Sequence, residues 1–506
     1  MERSLSTTMS ADTRVPAISS AGRLRSGIVL VTLLTCQLMI ILDITVMNVA
    51  LPRIRTDLHF STTNLSWVMN AYTLVFGGLL LLGGRAGDLF GRRNLFIAGT
   101  ALFTLASLAG GLAPSATWLL VARVVQGIGG AMAGPSTLAL LTTTFSEPKA
   151  RMRVLALFSG MSSAGFAIGL IVGGLLTEWL TWRSALFINV PFGLAVVVLA
   201  LRYLPDAGLD LRRSRVSPWS RSAASSEPVA PAAGRQPARL DLPGAVTATG
   251  GVAALVYGFI SAASHGWSDA GTDIWLAVGA ALIIAFLTIE ARTAQPLLPL
   301  RLFVDRNRAA AYANMFLGPM AGMSMFFFLT QYLQEVRGLS ALATGFAFMP
   351  TALMMFTMIR LIPRLLPRFG PKPVTVIGTL LMAAGLVLLT RLTVDTDYFP
   401  MLFIAMILMG SGIGLAFSPL NVIIMSSVAP TEAGAAGGAL QTLQQTGASL
   451  GLAILVTIFG TAARDAGGSA HHALVGGITT AFAGAVVIAA LTFVVALTFR
   501  STRTAE

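Results

Sequence analysis

The sequence predicts an all-α polytopic membrane protein with fourteen transmembrane helices, arranged as two six-helix bundles with two further helices inserted between them. Three observations point there. Hydrophobic residues make up 55% of the chain and charged residues 11%, with a mean hydropathy of +0.78, far outside the averages for soluble domains. Apolar runs long enough to cross a bilayer, which takes roughly 20 residues, recur fourteen times. Glycine and proline landmarks of the first six runs return in the last six at a nearly constant offset.

In chain order, residues 1–26 are Ser/Thr-rich with Arg3, Arg14, Arg23 and Arg25, and read as a cytoplasmic tail. No small-residue cleavage site follows the first apolar run, so that run is expected to stay as the first helix. The N-terminal bundle is expected over 27–203, from runs at 27–50, 64–83, 94–112, 117–141, 154–177 and 184–203. From 204 to 241 the composition turns to Arg, Ala, Ser and Pro with few large apolar residues, which reads as a disordered cytoplasmic linker. Two inserted helices, at 243–263 and 273–290, and a cytoplasmic loop fill 242–308. The C-terminal bundle is expected over 309–499, from runs at 309–333, 341–361, 373–391, 398–420, 437–461 and 475–499, and 500–506 form the cytoplasmic C-terminus.

Charge fixes the orientation. A net charge of +13 would suit nucleic acid, but the basic residues stand in short clusters between apolar runs, as topology signals do. With the N-terminus inside, inner segments hold 27 Lys and Arg, and outer loops hold six: Arg53, Arg55, Arg183, Arg337, Arg391 and Arg464. That asymmetry places both termini in the cytoplasm of a multi-pass protein, with the lipid bilayer as partner and nucleic acid excluded. The preference for arginine over lysine, found only at Lys149 and Lys372, fits a high-GC bacterium, so a bacterial cytoplasmic membrane is expected. Cys36, the one cysteine, lies inside the first run, so neither an intrachain disulfide nor a thiolate metal site is expected.

The repeat is specific in its spacing. Gly165-xxx-Gly169 is echoed by Gly447-xxx-Gly451, Pro135 by Pro419 (each just after a Gly-Ile-Gly), and Gly91 by Gly370, at offsets of 282, 284 and 279. Parallel six-helix repeats with a site between them near the midplane are a transporter architecture.

Charges at membrane depth point to the chemistry. Asp43 stands in an otherwise apolar stretch, and an intramembrane acid marks an ion or substrate pathway by default. Asp43 precedes the end of the first helix by seven residues, and Arg123 follows the start of the fourth by six, so at about 1.5 Å per residue they share a depth. We expect them to pair, with Asp43 taking a proton and Arg123 and Gln126 relaying its arrival; the bland alternative is a static salt bridge. The loop after the second run reads Gly84-Arg85-Ala86-Gly87-Asp88-Leu89-Phe90-Gly91-Arg92-Arg93. Its glycines suit a tight turn, and Asp88 suits a helix N-terminus or Arg92.

That loop closely resembles motif A of the major facilitator superfamily. Arg123-Val124-Val125-Gln126-Gly127-Ile128-Gly129-Gly130 is similar to its motif B, and Gly165-xxx-Gly169-Leu170-Ile171-Val172-Gly173-Gly174 to the antiporter motif C. The stretch around Asp43 is similar to the signature of the superfamily's drug:proton antiporters, and Trp182-Arg183 with Phe187-Ile188-Asn189-Val190-Pro191-Phe192-Gly193 to the fourteen-helix branch. Leu170 stands where motif C has proline, and Pro367 where the repeat would place a second motif A aspartate. The resemblance implies a proton-coupled antiporter that exports drugs or antibiotics by alternating access and so confers resistance. It implies a conformational latch of Gly84, Asp88, Gly91, Arg92 and Arg93 acting near the helix starting at Ala433. It also implies a glycine face of Gly165, Gly169, Gly173 and Gly174 on which the halves slide.

The second half offers an apolar, polarizable lining that would suit a hydrophobic small molecule. Met323 and Phe326 are candidates, with Asn314, Gln331, Gln334, Gln441 and Gln445 to orient it. One buried acid limits the cargo to neutral or monocationic compounds. No cofactor, no metal and no enzymatic activity are expected, and the protein is expected to act as a monomer. Rival readings are an exporter or proton symporter of an endogenous metabolite and, in another class, a membrane-embedded enzyme or sensor.

Overall fold

The computed structural model describes residues 20–145, 147–204, 241–293, 296–428, 432–466 and 469–500. The predicted linker, apart from its end residues, and most of both terminal segments lie outside them. Fourteen membrane-length helices follow one another: α1 (Ser20–Asp57), α2 (Trp67–Phe90), α3 (Arg92–Gly111), α4 (Ala116–Thr144), α5 (Pro148–Trp179), α6 (Ser184–Tyr203), α7 (Leu242–His265), α8 (Ala270–Arg292), α9 (Arg306–Gln331), α10 (Ala341–Phe369), α11 (Pro371–Leu389), α12 (Phe403–Ser426), α13 (Ala433–Asp465) and α14 (Ala470–Leu497). Thirteen of them are long and apolar enough to cross a membrane by their described residues alone; α5 has 32 residues with an apolar part at Ala164–Trp179. No strand occurs among the described residues. Helix α1 differs from expectation: it begins at Ser20, inside the segment read as tail, and runs to Asp57, past the apolar run.

Short polar side chains start many of these helices. Ser115, Asp241, Asp269, Asp305, Ser340 and Ser469 each accept an N–H from the first turn that follows, a cap that contributes about 1 kcal/mol. Gly91 and Gly370 turn the chain between α2 and α3 and between α10 and α11 at φ of 90° and 74°, left-handed backbone that suits glycine. These two turns are the repeat seen from the backbone.

The packing repeats as well. Helix α1 lies on α5 and α6 as α9 lies on α13 and α14, and α4 lies on α2 and α3 as α12 lies on α10 and α11. Lipid is as apolar as leucine, so close packing of small residues holds such helices together. A Cβ on Gly129 would sit 2.8 Å from the Gly99 carbonyl, and one on Gly412 would sit 2.8 Å from that of Gly378. The halves meet along two seams, α2 against α13 and α5 against α10. The inserted hairpin α7–α8 lies over the first seam, with α7 touching both α2 and α13. Helix α8 is the most peripheral: only 11% of its apolar window is buried, against 72% for α9, so it faces the bilayer.

Both described termini lie at one end of the bundle, here the near end. There Asn307 and Arg500 share two hydrogen bonds that tie the start of α9 to the end of α14. At the far end, cross-half bonds close the bundle. Asn48 donates to the Phe326 carbonyl (3.1 Å) and to Thr330 (3.0 Å), Gln334 donates to the Val49 carbonyl (3.0 Å), and Arg55 pairs with Glu335 (3.0 Å). The Leu342 N–H, at the start of α10, donates to Glu178 of α5 (2.8 Å).

Candidate functional site

Five helices of the N-terminal half converge on one carboxylate. Asp43 of α1 is fully buried, and its Oδ2 lies 2.5 Å from Nη1 of Arg123 on α4, also fully buried. Its Oδ1 accepts from Gln126 Nε2 (2.6 Å), one turn along α4, and from Asn189 Nδ2 (2.9 Å) at the start of the long part of α6. Both amides also donate to the Ser107 hydroxyl of α3, at 2.8 and 3.3 Å. Arg123 is held from α2: its Nε donates to the Val68 carbonyl (3.0 Å), and its guanidinium lies 4.5 Å from the Tyr72 ring centre. The Gln126 carbonyl oxygen accepts from Arg123 Nη1 (2.8 Å). The 3.6-residue helical period puts Arg123 and Gln126 on one face of α4, and the close α2–α4 contact at Gly127, whose Cβ would meet the Tyr72 carbonyl at 2.8 Å, presses that face inward.

The electrostatics follow. Two opposite charges without water are tolerable only when hydrogen bonds satisfy the rest of both groups. Asp43 has three donors. Arg123 keeps one nitrogen, Nη2, without a partner. A proton added to Asp43 would remove the charge that holds Nη1, and the guanidinium would fall back on Val68, Gln126 and Tyr72.

The sequence singled out Asp43, Arg123 and Gln126, and the structure brings them together. It missed Ser107, Asn189 and Tyr72 as partners. Asn189 stands in a quoted motif, but neither it nor Ser107 carries a charge to set it apart within an apolar helix.

Other candidates are placed differently. Asp88 accepts Nε (3.0 Å) and Nη2 (2.8 Å) of Arg92, one of the two partners expected for it, both side chains being exposed. Arg93 donates to the Leu201 carbonyl of α6 (2.9 Å), while Gly84 faces Pro135 and Gly91 makes the turn. The glycine face of α5 is corrected more substantially. Gly165, Gly169 and Gly173, at four-residue spacing, press on Leu38, Thr45 and Val46 of α1, inside one half; only Gly174 meets the other half, at Ala341 and Leu342.

The proposed lining residues do not assemble into one pocket by mutual bonds among the described residues. Asn314 is buried with both amide atoms unpartnered, and Gln331 is buried with Oε1 unpartnered. Gln334 serves the far-end closure, Gln441 is exposed, and Gln445 lies against Gly77 of α2. Met323 is half-buried, and Phe326 is sandwiched between Phe166 of α5 (4.9 Å) and Phe348 of α10 (5.4 Å). No three His, Cys, Asp or Glu side chains group as metal ligands among the described residues.

Comparison with known proteins bears on this arrangement. The profile of the Major Facilitator Superfamily matches residues 33–452. The chain is 41% identical over 485 residues to the puromycin resistance protein pur8 of Streptomyces alboniger, covering 94% of this chain and 91% of that one. It is 38% identical over 434 residues to the cephamycin export protein CmcT of Amycolatopsis lactamdurans, covering 85% of each. Among solved structures, the nucleoside transporter NupG superposes with a TM-score of 0.60 at 13% identity, over 93% of this chain and all of that one. The peptide transporter POT superposes at 0.61 and 13%, over 93% and 94%. The family match over most of the chain and relatives this similar settle the membership: the chain belongs to the Major Facilitator Superfamily, as a bacterial membrane transporter whose relatives include antibiotic resistance and export proteins.

Proposed function

We propose that the protein exports hydrophobic antibiotics or related drugs across the bacterial cytoplasmic membrane in exchange for protons, acting as a monomer by alternating access with both termini in the cytoplasm. The observation that carries the coupling is the fully buried Asp43–Arg123–Gln126 cluster, a single acid whose neutralisation would release a buried arginine. The export relatives support the direction and the substrate class.

In this reading the structure is the state closed at the outer (far) end. Asp43 and Arg123 are paired, and Asp88 is bound to Arg92 rather than latched to α13. The substrate enters from the cytoplasm and lodges between the halves, near the Phe166–Phe326–Phe348 group, which belongs to both. Opening outward breaks the Asn48, Gln334 and Arg55 contacts, and a proton arriving on Asp43 frees Arg123 and favours return. One proton driven inward supplies about 2.3 kcal/mol per 100 mV plus roughly 1.4 kcal/mol per pH unit.

The test is substrate-induced proton release from inverted membrane vesicles given puromycin and a panel of hydrophobic monocations. Wild type is compared with Asp43→Asn at matched membrane expression. Release and drug accumulation in wild type that both vanish in the variant are expected. Equal activity in the variant would remove Asp43 from coupling, and absence of proton movement with every drug would favour a metabolite carrier.

A further inference from the structure

The inserted hairpin leaves a groove that the transport reading does not use. Its lower part, about 500 Å³, lies between α7, α8 and the start of α2 and is walled by Trp67, Tyr257, Trp275, Gly250 and Leu282. The rings are grouped: Tyr257 is 6.1 Å from Trp67 and 5.0 Å from Trp275, centre to centre. Tyr257 and Trp275 remain 46% and 43% exposed on a flank that faces the bilayer. Its upper part, about 360 Å³, shares Trp67 and Tyr257 and opens at the far end among His59, His265, Asn64, Thr117 and Ser264. The two cavities adjoin at Trp67 and Tyr257, which line both, the lower one apolar and the upper one more polar.

One dimension and one charge pattern point to the occupant. From Gly250 to Ile260 the helix α7 rises roughly 15 Å, half of a ~30 Å hydrocarbon core, which is the depth of one leaflet. The mouth offers imidazole, hydroxyl and amide groups, and no carboxylate lines either part among the described residues. Arg464 adds a positive charge beside it, donating to the Ala263 carbonyl. His59 is the one non-glycine residue described in the left-handed region, at φ 56°, and such backbone gathers at ligand sites.

We propose that this groove holds one anionic phospholipid of the far leaflet, its acyl chain against Trp67, Tyr257 and Trp275 and its phosphate at His59 and His265. The hairpin is tied to both halves: Thr457 of α13 donates to the Phe259 carbonyl (2.5 Å), and Ser264 shares a hydrogen bond with Thr63 (3.2 Å), just before α2. On the N-terminal side, the lipid fills the space between the hairpin and α2. It thus lies beside the junction of the two halves that the hairpin spans.

The experiment reads binding, so its outcome is separate from whether the protein exports drugs. Purified full-length protein is titrated with phosphatidylglycerol bearing brominated acyl chains, and tryptophan quenching is followed. Expected is saturable quenching that is lost when Trp67 and Trp275 are replaced by Phe, with phosphatidylcholine, whose choline cation offsets the charge of the same phosphate beside Arg464, up to about fivefold weaker. Gly250→Leu, whose Cβ has open room 3.6 Å from Leu282, should abolish the saturable phase, and so should Ala253→Leu as a second filler. Arg464→Gln should erase the headgroup preference, and His59→Ala with His265→Ala should weaken both lipids and leave chain binding. Equal quenching by both lipids that survives Gly250→Leu would mean ordinary annular lipid and overturn the proposal. Displacement of the brominated lipid by puromycin but not by unbrominated phosphatidylglycerol would overturn it in favour of a drug site.

Discussion

A single carboxylate with three donors sets the residue-scale behaviour of the protein. Removing one partner of a buried pair strands the other, which costs about 3–5 kcal/mol. Arg123→Ala should therefore lower membrane yield and the detergent melting temperature sharply. Asp43→Asn combined with Arg123→Gln, which leaves no charge to strand, should regain most of that stability yet remain unable to release protons. If the double variant transported with coupling, the cluster would be a structural bridge. Asn189→Ala deletes one hydrogen bond to Asp43 and one to Ser107; the melting loss should be about 1.5–3 kcal/mol, the range for a bond to a charged group. The charged members of the cluster were legible in the sequence because intramembrane charges are rare enough to be seen individually. Asn189 and Ser107 were not, because an uncharged polar side chain in a helix gains its meaning only from which neighbour it meets.

At the scale of elements, glycine faces decide how closely helices approach. The four-residue spacing in α5 and α13 showed that each has a smooth face, but not what it touches. Three of the α5 glycines turned out to lie on α1, and Gly447 and Gly451 lie on α9, so these faces build each half rather than lubricate the seam. A Cβ on Gly447 would stand 2.0 Å from the Phe316 carbonyl, whereas one on Gly84 would be 3.8 Å from Pro135. Gly447→Ala should accordingly destabilise by about 1–3 kcal/mol through overpacking, and Gly84→Ala should be neutral within the error of a melting curve. The Asp88–Arg92 pair is exposed and i,i+4, an arrangement worth under ~1 kcal/mol. Asp88→Asn should thus leave the melting temperature nearly unchanged. A transport defect in that variant would then report on the other conformation, where Asp88 would meet α13.

The whole molecule is two similar halves with dissimilar contents. Hydropathy, basic clusters and the offset near 280 were enough to read the helix count and the repeat, because lipid imposes length and composition on every span. Which end is closed was not legible, since Asn48, Gln334 and Glu335 become a gate only when α1 and α9 lie side by side. Asn48→Cys with Thr330→Cys joins those helices at the far end, and Cys36, fully buried, adds no background. Cross-linking should abolish drug export and reduction should restore it; export by the cross-linked protein would show that this end need not part. The hairpin has a further consequence. It walls off the α2–α13 seam, while no helix among the described residues shields the α5–α10 seam. The two flanks of the interface therefore differ, one covered by the hairpin and the other, closely packed at Gly174 and Gly345, left bare, even though the repeat that built the molecule is two-fold.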